Sequence, residues 1–74
     1  MKIKDLLETI DFNTIQWVNI IDNNDEQLIA YGNNCSTRCF NCDKIEVLSM
    51  NVVTIKITNN GHRELDVYAE KENI

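Results

Sequence analysis

The sequence predicts an α+β fold, with one N-terminal helix packed on an antiparallel meander of about four strands and a cysteine-rich loop between two hairpins. Three observations support this class. Apolar residues recur at helical spacing near the N-terminus, apolar and polar residues alternate in later segments, and Asn-rich turn sequences separate those segments. With 74 residues and no linker or internal repeat, the chain is predicted to be a single domain, residues 1–74.

The first predicted element is a helix from Ile3 to Ile10. Its apolar residues follow the i, i+3, i+4, i+7 pattern of an amphipathic helix: Ile3, Leu6, Leu7 and Ile10. The charged residues between them are expected to face solvent.

The first hairpin follows. The segment from Ile15 to Ile21 is rich in β-branched and aromatic residues, and Asp22-Asn23-Asn24-Asp25 is a turn sequence. Leu28 to Tyr31 is predicted as the returning strand, which Gly32-Asn33-Asn34 ends.

The second half of the chain begins with the segment from Cys35 to Asp43. Its apolar residues follow neither the spacing of a helix nor the alternation of a strand, so it is predicted to be a loop. Ile45 to Thr58 is predicted as one bent strand or two adjoining strands. Asn59-Asn60-Gly61 indicates a hairpin turn, and the alternation of residues 64–69 predicts a last strand before an acidic tail.

The length excludes most enzyme scaffolds. A TIM barrel needs roughly 250 residues and two βαβ units need about 60 or more, and no phosphate loop, GxGxxG, HExxH or GxSxG motif occurs. The chain is therefore not expected to be an enzyme, and no catalytic residue is predicted.

The charge is acidic and unevenly distributed. The net charge is −5, and residues 1–34 hold six acids against two lysines. This balance disfavours direct nucleic-acid binding, which depends on Lys and Arg, and suits a basic partner; the plainer interpretation is that it keeps a small protein soluble. The predicted partner-facing residues are the six acids of that half: Asp5, Glu8, Asp11, Asp22, Asp25 and Glu26.

The three cysteines form a CxxxCxxC motif, Cys35, Cys39 and Cys42. Thiols this close in sequence can converge on one soft metal ion, and tetrahedral zinc needs a fourth ligand. The only histidine, His62, is the predicted fourth ligand; Asp43, a water or a cysteine of a second chain are the alternatives. Such a closed ligand set is structural, and its binding energy stabilises a small core.

Other interpretations of the cysteines remain open. The three thiols can be reduced and without a ligand, or can take part in redox switching. The same spacing holds the iron–sulfur cluster of radical S-adenosylmethionine enzymes, but 74 residues cannot build the partial barrel that those enzymes need. The N-terminus lacks the pattern of a signal peptide and no run of 18 apolar residues occurs, so an intracellular, reducing compartment without a disulfide framework is expected.

Four segments carry a family resemblance: the opening MKIKDLLETIDF, the strand beginning at Trp17, the segment from Leu28 to Gly32, and the closing Glu64-Leu65-Asp66-Val67. Together with the cysteine–histidine motif they resemble small phage-encoded type II-A anti-CRISPR proteins, inhibitors of Cas9. The resemblance implies a zinc-containing inhibitor that binds Cas9, blocks target DNA loading or cleavage, and acts in the cytoplasm of a host bacterium during phage infection or from a prophage. It carries over no individual residue.

Two rival functions remain. The first is a zinc-stabilised phage adaptor or transcription modulator that acts by protein–protein binding. The second is direct nucleic-acid binding, which requires the fold to gather four basic residues on one face: Arg38, Lys44, Lys56 and Arg63. The oligomeric state is left open by the sequence.

Overall fold

The computed structural model describes residues 1–11, 13–32, 37–40, 42–59 and 63–71. The elements in these ranges are, in chain order, α1 (Ile3–Thr9), β1 (Trp17–Ile21), β2 (Gln27–Gly32), β3 (Thr37–Cys39), α2 (Lys44–Leu48), β4 (Asn51–Asn59) and β5 (Arg63–Glu70). The predicted α+β class is confirmed, as are the N-terminal helix and the first hairpin. Neither helix in the described ranges is long and apolar enough to cross a membrane.

The strands form one mixed sheet in the order β3-β2-β1-β5-β4. The neighbours β3–β2, β2–β1 and β5–β4 are antiparallel, whereas β1 and β5 run parallel, with Trp17 opposite Glu64 and Ile21 opposite Tyr68. The prediction of an antiparallel meander was therefore wrong, because β5 lies between β1 and β4. This position places Val67 of β5 in the interior, where it is fully buried.

One face of the sheet carries the core. Fully buried side chains come from α1, β1, β2 and β5: Ile3, Val18, Ile20, Ile29 and Val67. The start of α1 is tied to the start of β4, since the Ile3 amide donates to the Met50 carbonyl at 2.9 Å and the Val52 amide donates to the Met1 carbonyl at 2.8 Å. The helix therefore covers the core face from the end where β4 begins.

The segment from Ile45 corrects the predicted strand. Residues 44–48 form α2, and the strand begins only at Asn51. The Asp43 carboxylate accepts a 3.0 Å hydrogen bond from the Ile45 amide and so caps the helix. Val47 is 3% exposed and Ile45 is 80% exposed. Residues two apart in a strand lie on the same face, whereas in a helix they point in different directions, so this difference in exposure is typical of a short helix.

The cysteine segment is also more regular than predicted. Instead of a continuous loop, residues 37–39 form β3, in which Cys39 pairs with Ile29 of β2. Tyr31 lies opposite Val18 on the core side and packs against the core. The register of β2 thus brings Tyr31 and Cys39 to the same face of the sheet.

Candidate functional site

Cys39 and Cys42 are held against the same strand. The Phe40 amide donates to the Leu28 carbonyl at 2.8 Å, and the Cys42 thiol donates to that carbonyl at 3.0 Å. Cys39 is exposed, whereas Cys42 is half-buried and packs on the core. Burial raises the pKa of the Cys42 thiol, and the neighbouring Cys39 and Asp43 raise it further. Cys42 is therefore a weaker acid, and a less ready nucleophile, than an ordinary cysteine.

Tyr31 lies beside this thiol pair. Its hydroxyl oxygen is buried and has no hydrogen-bond partner among the described residues. Burial raises the pKa of the Tyr31 phenol, and the nearby Cys39 and Cys42 sulfurs raise it further. A buried hydroxyl without a partner costs stability.

The described residues supply two of the four predicted zinc ligands. Cys35 and His62 lie outside the described ranges. The strand that follows Cys35 is β3 and the strand that follows His62 is β5; in the sheet, β2 and β1 lie between these two strands. Asp43, the alternative ligand, is next to Cys42, but one of its carboxylate oxygens caps α2. No group of three or more His, Cys, Asp or Glu side chains within the described ranges is positioned to hold a metal ion.

An acidic cleft opens beside Cys42. It has a volume of about 600 Å³ and lies between the β1–β2 turn, α2 and the end of β5. Its walls carry four carboxylates and one lysine, and its apolar side chains come from β2, α2 and the turn before β4. The lining includes Asp22, Asp43, Glu46, Glu70, Lys71, Leu28, Val47 and Met50. The Lys71 ammonium lies 2.9 Å from a Glu46 carboxylate oxygen, and both side chains are exposed. Four acids against one base make the cleft negative.

The six predicted partner-facing acids come from α1, from the segment before β1 and from the β1–β2 turn. Asp5 and Glu8 are exposed on α1. Asp11 precedes β1, where it accepts a 2.9 Å hydrogen bond from the Asn13 amide. The other three occupy the turn at the opposite end of β1: Asp22, Asp25 and Glu26. Only one of the six, Asp22, lines the cleft.

Asp22 also organises its own turn. One of its carboxylate oxygens accepts hydrogen bonds from the Asn24 amide at 2.8 Å and the Glu26 amide at 3.0 Å. Asp25 adopts a positive φ of 62° there, a conformation that Asp tolerates better than most residues. The turn is therefore held in one shape, with Asp22 directed by backbone amides.

The sequence analysis did not predict three acids that line the cleft: Asp43, Glu46 and Glu70. Asp43 was considered there only as an alternative zinc ligand. They belong to the less acidic half of the chain and come from different elements. No local pattern marks them, because only the fold brings α2 and the end of β5 to the same cleft.

The face of the sheet opposite the core holds a polar network centred on Asn19. Its side-chain oxygen accepts from Trp17 Nε1 at 2.8 Å and Gln27 Nε2 at 2.6 Å. Its nitrogen donates to Glu64 at 2.7 Å and to Asp66 at 2.9 Å. Trp17 is thus half-buried on the open face.

The four basic residues of the nucleic-acid hypothesis are spread over the molecule. Arg38 and Lys56 lie on the two opposite edge strands in one cross-strand row, with Asp66 between them. Lys56 lies over the Tyr68 ring, 5.1 Å from its centre. Lys44 begins α2 and Arg63 begins β5. The fold therefore does not gather these four residues on one face.

No family model matches the chain, and neither a curated protein nor a solved structure matches it.

Proposed function

We propose that this protein is a zinc-stabilised acidic anti-CRISPR protein that binds Cas9 and blocks target DNA loading or cleavage. The observation that carries the proposal is the acidic cleft beside the Cys39–Cys42 pair, which combines four carboxylates with apolar side chains. Such a cleft suits an arginine or lysine side chain, because the charged head meets carboxylates while the aliphatic stem covers apolar surface.

The zinc part of the proposal is supported by the thiol pair and the adjacent hydroxyl. Cys39 and Cys42 would hold the ion, with Cys35 and His62 as the remaining proposed ligands. Zinc would supply a rigid cross-link and would convert the thiols to thiolates. The chain's own contribution is the Leu28 carbonyl, which accepts from the Phe40 amide and, before zinc binds, from the Cys42 thiol. Only the bond to the Phe40 amide would remain once Cys42 is a thiolate, and it would keep this segment on β2.

The Cas9 part rests on electrostatics. Cas9 holds its nucleic acids in a positively charged channel and reads the PAM through arginines. An acidic protein with a fixed negative cleft can occupy such a surface in place of phosphate, and charge complementarity accelerates the encounter. Inhibition then follows from occlusion and requires no catalytic residue.

The test is a Cas9 cleavage assay with two double variants of equal charge change. Glu46→Lys combined with Glu70→Lys reverses the cleft, while Asp5→Lys combined with Glu8→Lys changes the outer side of α1 by the same amount. We expect the wild type and the α1 variant to inhibit cleavage and the cleft variant to lose at least tenfold in potency. Thermal melting checks that both variants are folded.

Two results would contradict the proposal. Full cleavage at excess wild-type protein excludes the anti-CRISPR function and leaves an adaptor or transcription modulator with another basic partner. Equal loss of potency in both double variants shows that total charge, and not the cleft, drives inhibition.

A further inference from the structure

Cys39 and Cys42 meet on the core face of the sheet, at one short stretch of β2. Cys39 pairs with Ile29, which is a fully buried core residue, so the Cys39 side chain is on the core face. The Cys42 thiol donates at 3.0 Å to the carbonyl of Leu28, the residue before Ile29. Cys42 also packs against the core cluster. Both cysteines therefore lie at the Leu28–Ile29 peptide.

The two thiols are neighbours with different access to solvent. Their sulfurs are close enough for one thiol to hydrogen-bond to the other. Both are free thiols; Cys39 is exposed, whereas Cys42 is half-buried. Redox-reactive thiols are typically accessible and lie beside a second cysteine that can resolve the first product. The pair has this arrangement, with Cys39 in the accessible position and Cys42 behind it.

We propose that Cys39 and Cys42 are the site of a reversible intramolecular disulfide, formed by exchange with a small disulfide such as oxidised glutathione. The Cys39 sulfur attacks one sulfur of the reagent, whose S–S bond breaks and releases one glutathione. The Cys42 sulfur then attacks the Cys39 sulfur of this mixed disulfide and releases the second glutathione. The two thiol protons end on the two released molecules, so the dithiol is oxidised and the reagent is reduced.

The backbone around the pair tolerates this oxidation. The disulfide removes the Cys42 proton and with it the bond to the Leu28 carbonyl. That carbonyl still accepts from the Phe40 amide at 2.8 Å, so no acceptor loses its only partner. The Phe40 bond also keeps the chain next to Cys39 on β2 in both redox states.

The disulfide goes beyond the proposed function and does not depend on it. The proposed zinc would use the same two sulfurs, and a sulfur bonded in a disulfide is no longer a thiolate ligand. Oxidation and zinc binding at this pair would therefore exclude each other. This consequence alone rests on the proposed function; the exchange reaction needs only the two thiols.

Mass spectrometry of the full-length chain, after equilibration with reduced and oxidised glutathione, tests the proposal. A chelator keeps metal off the thiols, so the result does not depend on zinc. Every variant carries Cys35→Ser, which removes the third cysteine. We expect Cys35→Ser alone to lose two hydrogens and to retain no glutathione. Cys35→Ser combined with Cys42→Ser lacks the second thiol of the exchange and should retain one glutathione on Cys39.

Two comparisons tie the reaction to the fold. Concentrated urea should lower the equilibrium constant of the exchange for Cys35→Ser by at least about tenfold, because the sulfurs are no longer held adjacent. Cys35→Ser with Cys39→Ser, which leaves only the half-buried thiol, should react at least about tenfold more slowly than Cys35→Ser with Cys42→Ser.

Three results would overturn the proposal. The first is a Cys35→Ser protein that retains glutathione and forms no disulfide. The second is an equal equilibrium constant in buffer and in urea, which would mean that the fold does not bring the sulfurs together. The third is a faster reaction at Cys42 than at Cys39, which contradicts the assigned order of attack.

Discussion

Asn19 Nδ2 donates a 2.9 Å hydrogen bond to Asp66 Oδ1, and the two residues face each other in the parallel pairing of β1 with β5. They are 47 positions apart in the chain. With its bonds to Glu64, Trp17 and Gln27, the Asn19 amide uses both donors and accepts twice. Asn19 is therefore the polar link between the first hairpin and the last strand.

Replacing Asn19 by alanine should destabilise the fold strongly. The change removes four hydrogen bonds, two of them to carboxylates, and leaves partly buried polar groups without their partner. We expect a loss of about 2–4 kcal/mol in the free energy of unfolding, since each such group costs about 1–3 kcal/mol. Urea denaturation measures it. Asn13→Ala, at an exposed loop position, is the control and should change stability by less than about 0.5 kcal/mol; equal effects would mean that the network contributes nothing.

Metal removal should lower the melting temperature of the wild type. A chelator is expected to reduce Tm by more than about 10 °C, because 1 kcal/mol corresponds to about 4–8 °C in a domain of this size and a structural zinc contributes several times that energy. Cys42→Ser should bind no zinc and should melt at the same temperature with and without chelator. Elemental analysis and calorimetry give both readouts; a wild type without bound metal, or one insensitive to chelator, contradicts the zinc site.

Tyr31→Phe should stabilise the metal-free protein. The variant removes a buried hydroxyl that has no partner among the described residues and keeps the packing of the ring. We expect a gain of about 1 kcal/mol, measured by urea denaturation after chelation. A loss of stability instead would show that the hydroxyl is hydrogen-bonded in solution.

The same variant has a defined pH dependence. The pKa of Tyr31 is raised above its ordinary value of 10.0 by burial, then by Cys39 and Cys42. The folded state therefore holds the phenol proton more tightly than the unfolded state, and the associated stability, complete below pH 10, is lost as the pH rises through the folded pKa. The advantage of Tyr31→Phe over the wild type should widen above pH 10; a constant difference contradicts the raised pKa.

Asp43→Ala tests the helix cap. Loss of the bond to the Ile45 amide should cost about 1 kcal/mol, because α2 supplies the buried Val47. Asp43→Asn keeps an acceptor at the same position and should cost much less. Zinc affinity measured on both variants separates the two possible roles: if Asp43 is a ligand, Asp43→Asn loses zinc while it retains the cap.

The sequence predicted the elements with local signatures well. The helical spacing of Ile3, Leu6, Leu7 and Ile10, and the turn residues after Ile21, depend on neighbours within a few positions. The parallel pairing of β1 with β5 has no such signature. The alternation of apolar and polar residues in a strand shows which face is buried, but it does not show which distant strand lies beside it. The helix at Lys44–Leu48 was missed because five residues are too few to separate the two periods.

The candidate site was predictable only in its thiol part. The spacing of Cys39 and Cys42 predicts that two sulfurs can point to one centre. In the structure Cys39 pairs with Ile29 and the Cys42 thiol bonds to the Leu28 carbonyl, so both lie against β2. The cleft was not predictable, because Glu46 and Glu70 are ordinary surface acids until α2 and β5 meet. The position of the Tyr31 hydroxyl depends on the register of β2, which could not be predicted from the alternation alone.

The place of β5 between β1 and β4 has a consequence for synthesis of the chain. Translation proceeds from the N-terminus, so β1 emerges from the ribosome 47 positions ahead of the residues of β5 with which it pairs. Until then the nascent polypeptide exposes Val18 and Ile20 along an unfilled sheet edge. The sheet is therefore expected to form only after β5 has emerged, with a rate limited by this one long-range encounter.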